Sequence, residues 1–147
     1  MKTMRDIYNN QDALTSILPA VRTTDVNGTG VDLRDFDGAM VNFHVGAPGI
    51  TLDASNRIEL KIEESDDDST YTAVADVDTL GAVSGGVATG TAAILIANAS
   101  ASKCIQIGYR GNKRYIRAVV DMVGTHGTGT AISASVTRAL PHVAKVR

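Results

Sequence analysis

Apolar and polar side chains alternate along several short segments of the chain. In segment 57–63, the apolar residues Ile58, Leu60 and Ile62 alternate with charged residues. Successive side chains of a β-strand point to opposite faces, so this segment is predicted to be a strand with one buried face and one face in water. The same two-residue period recurs in four further segments: 40–45, 104–110, 114–123 and 131–138.

The alternation also predicts which side chains form the core. Each strand contributes its apolar face, and the polar residues between the apolar ones face water. The further core positions predicted in this way are Val41, Phe43, Val45, Ile116, Ala118, Val120, Met122, Ile132, Ala134 and Val136. Cys104 lies beside Ile105 and Ile107, which predicts a small packed residue rather than a nucleophile.

Two connections and one apolar run complete the predicted elements. Residues 111–113 separate the strands 104–110 and 114–123, and their Gly and Asn adopt positive φ at little cost, so a β-hairpin is predicted here. The run 92–97 is too short for its period to distinguish a strand from a buried helix, and a strand is favoured. The glycine-rich segment 81–90 is predicted to be a flexible connection, since no Gly-Lys-Ser/Thr sequence follows it.

Short strands separated by Gly, Asp, Asn and Ser clusters are typical of an all-β fold. An antiparallel β-sandwich or jelly-roll-like domain is predicted over residues 21–140. Residues 1–20 contain only sparse apolar positions, which indicates an extended N-terminal arm with one weak helical turn near 11–18. Residues 141–147 are predicted to form a C-terminal tail.

Composition narrows the possible partners. The chain has 147 residues, enough for one domain, and its 44% hydrophobic and 20% charged residues favour a folded protein. The formal net charge of −2 argues against nucleic acid as a partner. No segment approaches the roughly 20 consecutive apolar residues of a membrane-spanning helix. The N-terminus lacks the apolar core of a signal peptide, so the protein is expected to be made in the cytosol and kept there or assembled there into something larger.

No constellation in the sequence predicts catalysis, a cofactor or a metal. The acidic segment 63–69 lacks the spacing of an EF-hand loop, and a solvated turn explains its Asp and Ser residues. His44, His126 and His142 lie far apart, and no Gly-x-Ser-x-Gly sequence is present. The chain is therefore predicted not to be an enzyme, with no catalytic, cofactor-binding or metal residues.

A basic cluster is the strongest candidate for a binding site. Its cations and aromatic residues are compatible either with nucleic acid, by charge and stacking, or with protein carboxylates. The carboxylates considered are Asp121, the 63–68 segment and an acidic neighbouring protein, and the overall charge favours them. The predicted partner-contact residues are Arg110, Lys113, Arg114, Arg117, Tyr109 and Tyr115.

This cluster also carries a family resemblance. Segment 108–117, Gly-Tyr-Arg-Gly-Asn-Lys-Arg-Tyr-Ile-Arg, resembles a hairpin found in small accessory structural proteins of tailed-phage and prophage head modules. Segment 31–43, with Val-Asp-Leu followed by Phe36, Ala39 and Val-Asn-Phe, is similar to the early strand of that group. Segment 58–67 is similar to its acidic hairpin.

The resemblance implies a bacteriophage virion protein of the capsid cement or decoration type, or the base of a head spike. Such a protein binds the outer surface of the head and stabilises it, with the major capsid protein as partner and homo-oligomers on the virion. In this hypothesis, the arm at residues 1–20 becomes ordered on binding. No catalytic or cofactor residue carries over from the group.

Two other classes stay open at this point. A neck or tail component, such as a head-completion or tail-tube protein, is the main alternative and predicts ring formation. A carbohydrate- or host-surface-binding module is disfavoured, because tryptophan is absent and only 4% of residues are aromatic.

Overall fold

The computed structural model describes residues 7–81 and 90–143, and within them the chain is all-β. The strands are β1 Gln11–Arg22, β2 Val26–Asn27, β3 Val31–Asp32, β4 Phe36–Pro48, β5 Arg57–Ser65, β6 Thr72–Ala73, β7 Thr79–Leu80, β8 Thr91–Leu95, β9 Lys103–Tyr109, β10 Tyr115–Val123 and β11 Thr130–Pro141. Two short 3-10 helices cover Asp76–Asp78 and Asn98–Ser100. No helix in the described ranges is long and apolar enough to cross a membrane.

The strands form two antiparallel sheets that pack face to face, which confirms the predicted sandwich. Sheet A has the order β1-β11-β4-β9-β7. Sheet B has the order β2-β10-β5-β6, and β3 and β8 also pair with its strands β10 and β5. Strand β8 confirms that the apolar run 92–97 contains a strand rather than a helix.

The core lies between the two sheets and consists of the predicted apolar faces. Phe43 on β4 and Leu60 on β5 are fully buried, and so is Val120 on β10. All thirteen core positions predicted from the alternation are buried. Burial of one face per strand is the main source of stability in such a sandwich, because it removes apolar surface from water.

The prediction of an extended arm is wrong for residues 11–20. These residues belong to β1, which pairs with β11 from Gln11 opposite Ala139 to Arg22 opposite Thr130. Two bulges interrupt the register, so the apolar side chains of β1 do not follow a two-residue period and the sequence did not indicate a strand. The predicted helical turn near 11–18 is also wrong, because these residues are part of strand β1. Residues 1–6, 82–89 and 144–147 lie outside the described residues, and so does most of the predicted glycine-rich connection 81–90.

The predicted β-hairpin is also wrong. Strand β9 pairs with β4 and β7 in sheet A, whereas β10 pairs with β5, β2 and β3 in sheet B, so residues 110–114 cross between the sheets. Neither Gly111 nor Asn112 has a positive φ, so the tight turn expected there does not form. Alternation identifies the buried face of each strand but does not identify its neighbour.

Candidate partner-binding cleft

The crossing between the sheets forms one wall of a cleft at one end of the sandwich. We name it the crossover cleft and define it by residues 33–39, Asp66 and residues 109–114. Four of the six predicted contact residues line it: Tyr109, Arg110, Lys113 and Arg114. Tyr115 and Arg117 lie outside the cleft on β10, on the side of sheet B that faces away from the core.

Tyr109 is a structural anchor of the cleft rather than an exposed contact. It is 6% exposed. Its hydroxyl donates to Glu64 Oε2 at 2.6 Å, and the hydroxyl oxygen of Tyr109 accepts the Lys113 backbone N–H at 3.0 Å. Burial, followed by the hydrogen bond to Glu64, raises the pKa of Tyr109, so it stays a neutral donor. These hydrogen bonds of the Tyr109 hydroxyl hold the crossing segment, residues 110–114, at the end of β5.

Three of the predicted cations are paired with carboxylates of the same chain. Lys113 Nζ lies 2.5 Å from Asp66 Oδ2, and Arg114 donates to both carboxylate oxygens of Asp32 at 3.1 and 2.8 Å. Arg117 donates to Glu63 Oε2 at 2.8 Å and lies over the Tyr71 ring at 4.1 Å from its centre. The positive charge of these three side chains is therefore already balanced by carboxylates of the chain and is less available to a phosphate backbone.

The cleft nevertheless carries positive charge that is less well paired. Arg110 Nε donates to the carbonyl oxygen of Val77 at 2.7 Å, and among the described residues no carboxylate lies within ion-pair distance of it. The Arg34 side chain is 60% exposed and lies 3.4 Å from an oxygen of Asp32, which Arg114 already uses. A guanidinium group presents a planar set of donors that fits a carboxylate, so these two arginines are suited to a partner's acidic side chains.

Arg34 and Asp37 were not predicted as site residues from the sequence. Arg34 lies in the connection between β3 and β4, Asp37 is the second residue of β4, and only the resemblance over segment 31–43 pointed to this region. The connection reaches the cleft because β3 pairs with β10 while β4 belongs to the opposite sheet. Nothing local in the sequence specifies that geometry.

The last described residues of the chain are attached to the rim of the cleft. His142 Nε2 lies 2.8 Å from Asp37 Oδ1, and the His142 backbone N–H donates to the carbonyl oxygen of Asp35 at 2.9 Å. The hydrogen bond with Asp37, together with its charge, raises the pKa of His142. A raised pKa means that this contact stabilises the fold at low pH and is lost as the pH rises through the pKa of the folded state.

We expect Asp37→Asn to lower the pKa of His142, because the variant removes the negative charge that favours the imidazolium. NMR titration of the His142 ring signals measures this directly. Asp66→Asn is the matched control, since Asp66 also lines the cleft but pairs with Lys113. The same His142 midpoint in the wild type and in Asp37→Asn would contradict the pairing.

In the acidic segment 63–69, the Asp67 side chain accepts hydrogen bonds from neighbouring residues of its own loop. Asp67 Oδ1 accepts the backbone N–H groups of Thr70 and Ser69 at 2.8 and 2.9 Å and the Ser65 hydroxyl at 2.8 Å. These backbone hydrogen bonds lower the pKa of Asp67 to about 2. In residues 7–81 and 90–143, no group of three or more His, Cys, Asp or Glu side chains is arranged to hold a metal ion.

The remaining candidate residues lie apart from the cleft. His126 is buried, with Nε2 at 3.0 Å from the carbonyl oxygen of Val123. Cys104 is exposed on β9, opposite His44 on β4, so its prediction as a packed residue is wrong. Its neighbours Ile105 and Ile107 occupy the core-facing positions of the strand, which leaves residue 104 on the outer face.

Comparisons with known proteins give no family. No protein-family model and no curated protein sequence matches the chain. The crystal structure of the SPBc2 prophage-derived protein YomS is similar over 88% of this chain and 94% of that chain, with 12% sequence identity and a TM-score of 0.39. This similarity assigns neither a family nor a function. The fold and the site define a β-sandwich domain with a charged cleft at one end.

Proposed function

We propose that this chain is a structural protein of a bacteriophage virion, of the capsid cement or decoration type. The observation that carries the proposal is the pair of incompletely paired arginines, Arg34 and Arg110, in a cleft whose wall is the segment that resembles phage head proteins. The partner is an acidic surface of the major capsid protein. In this proposal the protein binds and stabilises and catalyses no reaction.

The cleft is well prepared for such a contact. Hydrogen bonds from Tyr109 to Glu64 and from Arg114 to Asp32, and the ion pair between Lys113 and Asp66, hold its walls in place before binding. Preorganised side chains lose little conformational freedom on binding, so more of the interaction energy appears as affinity. On a symmetric shell, many such contacts together stabilise the particle.

Charge reversal in the cleft tests the proposal. Cosedimentation of the purified protein with empty capsids of the encoding phage is expected to show binding by the wild type. Arg34→Glu and Arg110→Glu, made separately, are each expected to weaken it about tenfold or more, because like charges then meet at the contact. Lys103→Glu is the matched control, since Lys103 begins β9 and lies about 20 Å along that strand from the cleft.

Cryo-electron microscopy of the sedimented particles distinguishes the possible locations. Density at regular positions over the shell is expected for a cement or decoration protein. Density at a single vertex would replace this proposal with the neck or tail component. Unchanged binding by both arginine variants would remove the cleft as the contact, and no binding by the wild type would overturn the capsid as partner.

A further inference from the structure

The outer face of sheet A carries no Asp, Glu, Lys or Arg in its central part, and Lys103 lines a depression at one end of it. Alternate positions of β11 from Ala131 to Ala139, of β4 from Gly38 to Gly46 and of β9 from Cys104 to Gly108 point away from the core. None of these positions, nor Ala13 and Thr15 on β1, is Asp, Glu, Lys or Arg. Most of the side chains are small, and the titratable ones are His44 and Cys104.

The outer face of sheet B is charged, so the lack of charged residues is specific to the outer face of sheet A. The outer face of sheet B carries Arg57, Glu59 and Lys61 on β5, with Arg117 and Asp121 on the neighbouring β10. A fifth of the residues in the chain are charged, so composition does not explain the lack of charge in the central part of the outer face of sheet A. One side of the domain has the ion pairs of a solvated surface, and the other has the charge depletion found at the centre of protein interfaces.

The polar groups at the centre of this face are already satisfied within the sheet. Gln106 Nε2 donates to Asn42 Oδ1 at 3.0 Å, and Asn42 Nδ2 donates to Thr137 Oγ1 at 2.9 Å. Asn42 is only 7% exposed as a result. Covering these groups with a second protein surface therefore breaks few hydrogen bonds to water, and the desolvation cost of an interface here is low.

We infer that the outer face of sheet A is a face-to-face contact between two copies of this chain. Two copies of an uncharged patch can pack against each other across a two-fold axis without placing like charges opposite each other. The same patch has no charged side chains to form ion pairs with an acidic or basic partner. Small side chains allow two sheets to approach to about 10 Å, the spacing of packed sheets. The exposed side chain of Leu80, which lies over Gly108 at one edge of the sheet, supplies apolar contact area.

The size of the face agrees with this occupant. Residues 131–139 of β11 extend over about 27 Å, and the four longer strands β1, β11, β4 and β9, each about 4.8 Å wide, together extend over about 19 Å. The face therefore covers about 500 Å² per copy and about 1,000 Å² for a pair, which is the lower limit for a specific interface. The inference concerns the protein in solution and does not depend on the capsid proposal.

Sedimentation velocity of the full chain tests the inference. The wild type is expected to sediment as a concentration-dependent dimer. Gln106→Lys and Ser135→Lys, on two different strands of the face, are each expected to weaken dimerisation about tenfold or more, because a charge then meets its own copy across the interface. Thr72→Lys, at the exposed edge of sheet B, is the control and is expected to dimerise like the wild type. Gln106 and Ser135 point away from the core and Thr72 is exposed, so thermal unfolding is expected to confirm that the variants fold.

The single cysteine of the chain gives a second readout without mutation. Cys104 lies on this face and is exposed in one copy, so a bulky maleimide is expected to react more slowly as the dimer forms, and the labelled protein is expected to be monomeric. A monomeric wild type at all concentrations would overturn the inference. A monomeric wild type combined with loss of capsid binding by Gln106→Lys would assign the face to the capsid instead of a second copy.

Discussion

Phe43→Ala is expected to lower the free energy of unfolding by about 3–5 kcal/mol. Phe43 is fully buried near the middle of β4, the central strand of sheet A, and its ring fills the space between the two sheets. Truncation removes the transfer free energy of the ring and leaves a cavity that neighbouring strands cannot close without breaking their pairing. Denaturant unfolding followed by circular dichroism measures the loss as a shift in the midpoint at constant slope.

The chain contains its own control for this substitution. Phe36, the other phenylalanine, begins the same strand and is half-buried, with the Arg138 guanidinium 4.5 Å from its ring centre. Phe36→Ala is expected to lower the free energy of unfolding by only about 1–2 kcal/mol, because less apolar surface and one cation–π contact are lost. Equal losses for the two variants would contradict the position of Phe43 at the centre of the core.

Phe43 also shows what the sequence predicts well. The two-residue period of a strand is a local property, so Val41, Phe43 and Val45 were assigned to the core without knowledge of any neighbour. The same reasoning failed for β1, because its bulges displace the side chains from that period. It also failed at residues 110–114, because the alternation within β9 and β10 is the same whether the strands pair or lie in different sheets.

The site was predictable only in part, since its ion pairs join distant parts of the chain. The sequence indicated Asp121, the 63–68 segment or an acidic neighbour as partners of the basic cluster as a whole, and the structure pairs Lys113 and Arg117 with that segment. The partner of Arg114 is Asp32, which lies 82 residues away and reaches it because β3 pairs with β10. Asp121, the other carboxylate that the sequence left open as a partner, pairs with Lys61. Such partners follow from sheet topology rather than from spacing.

The contact between Lys61 and Asp121 belongs to a charged cluster on the outer face of sheet B. Glu59 is 4% exposed although alternation predicted that its face is in water. The side chains of Arg57 and Lys61 flank it, with Arg57 Nε 2.7 Å from Oε1 and Lys61 Nζ 3.4 Å from Oε2. Asp121 lies directly opposite Glu59 in the strand register. Lys61 therefore separates two carboxylates that would otherwise face each other.

Lys61→Met is expected to lower the free energy of unfolding by about 2–4 kcal/mol at neutral pH. The side chain of Lys61 is 20% exposed, so the loss is placed below the upper end of the range for a buried pair. The variant keeps an apolar stem of similar length but leaves Glu59 nearly buried beside Asp121 with less positive charge. Lys113→Met is the matched control, because Lys113 and Asp66 form an exposed pair whose removal is expected to change the free energy of unfolding much less.

The pH dependence identifies the missing positive charge of Lys61 as the cause of this loss. In the wild type, burial lowers the pKa of Lys61, but the hydrogen bond and charge of Asp121, with Glu59, outweigh burial and raise it overall. The stability from Lys61 is therefore present at neutral pH and is lost only as the pH rises through the raised pKa. The loss caused by Lys61→Met is therefore expected to decrease as the pH rises through the raised pKa of Lys61, because the wild type then loses the same positive charge. A loss that stays constant over this range would instead indicate lost packing of the lysine stem against sheet B.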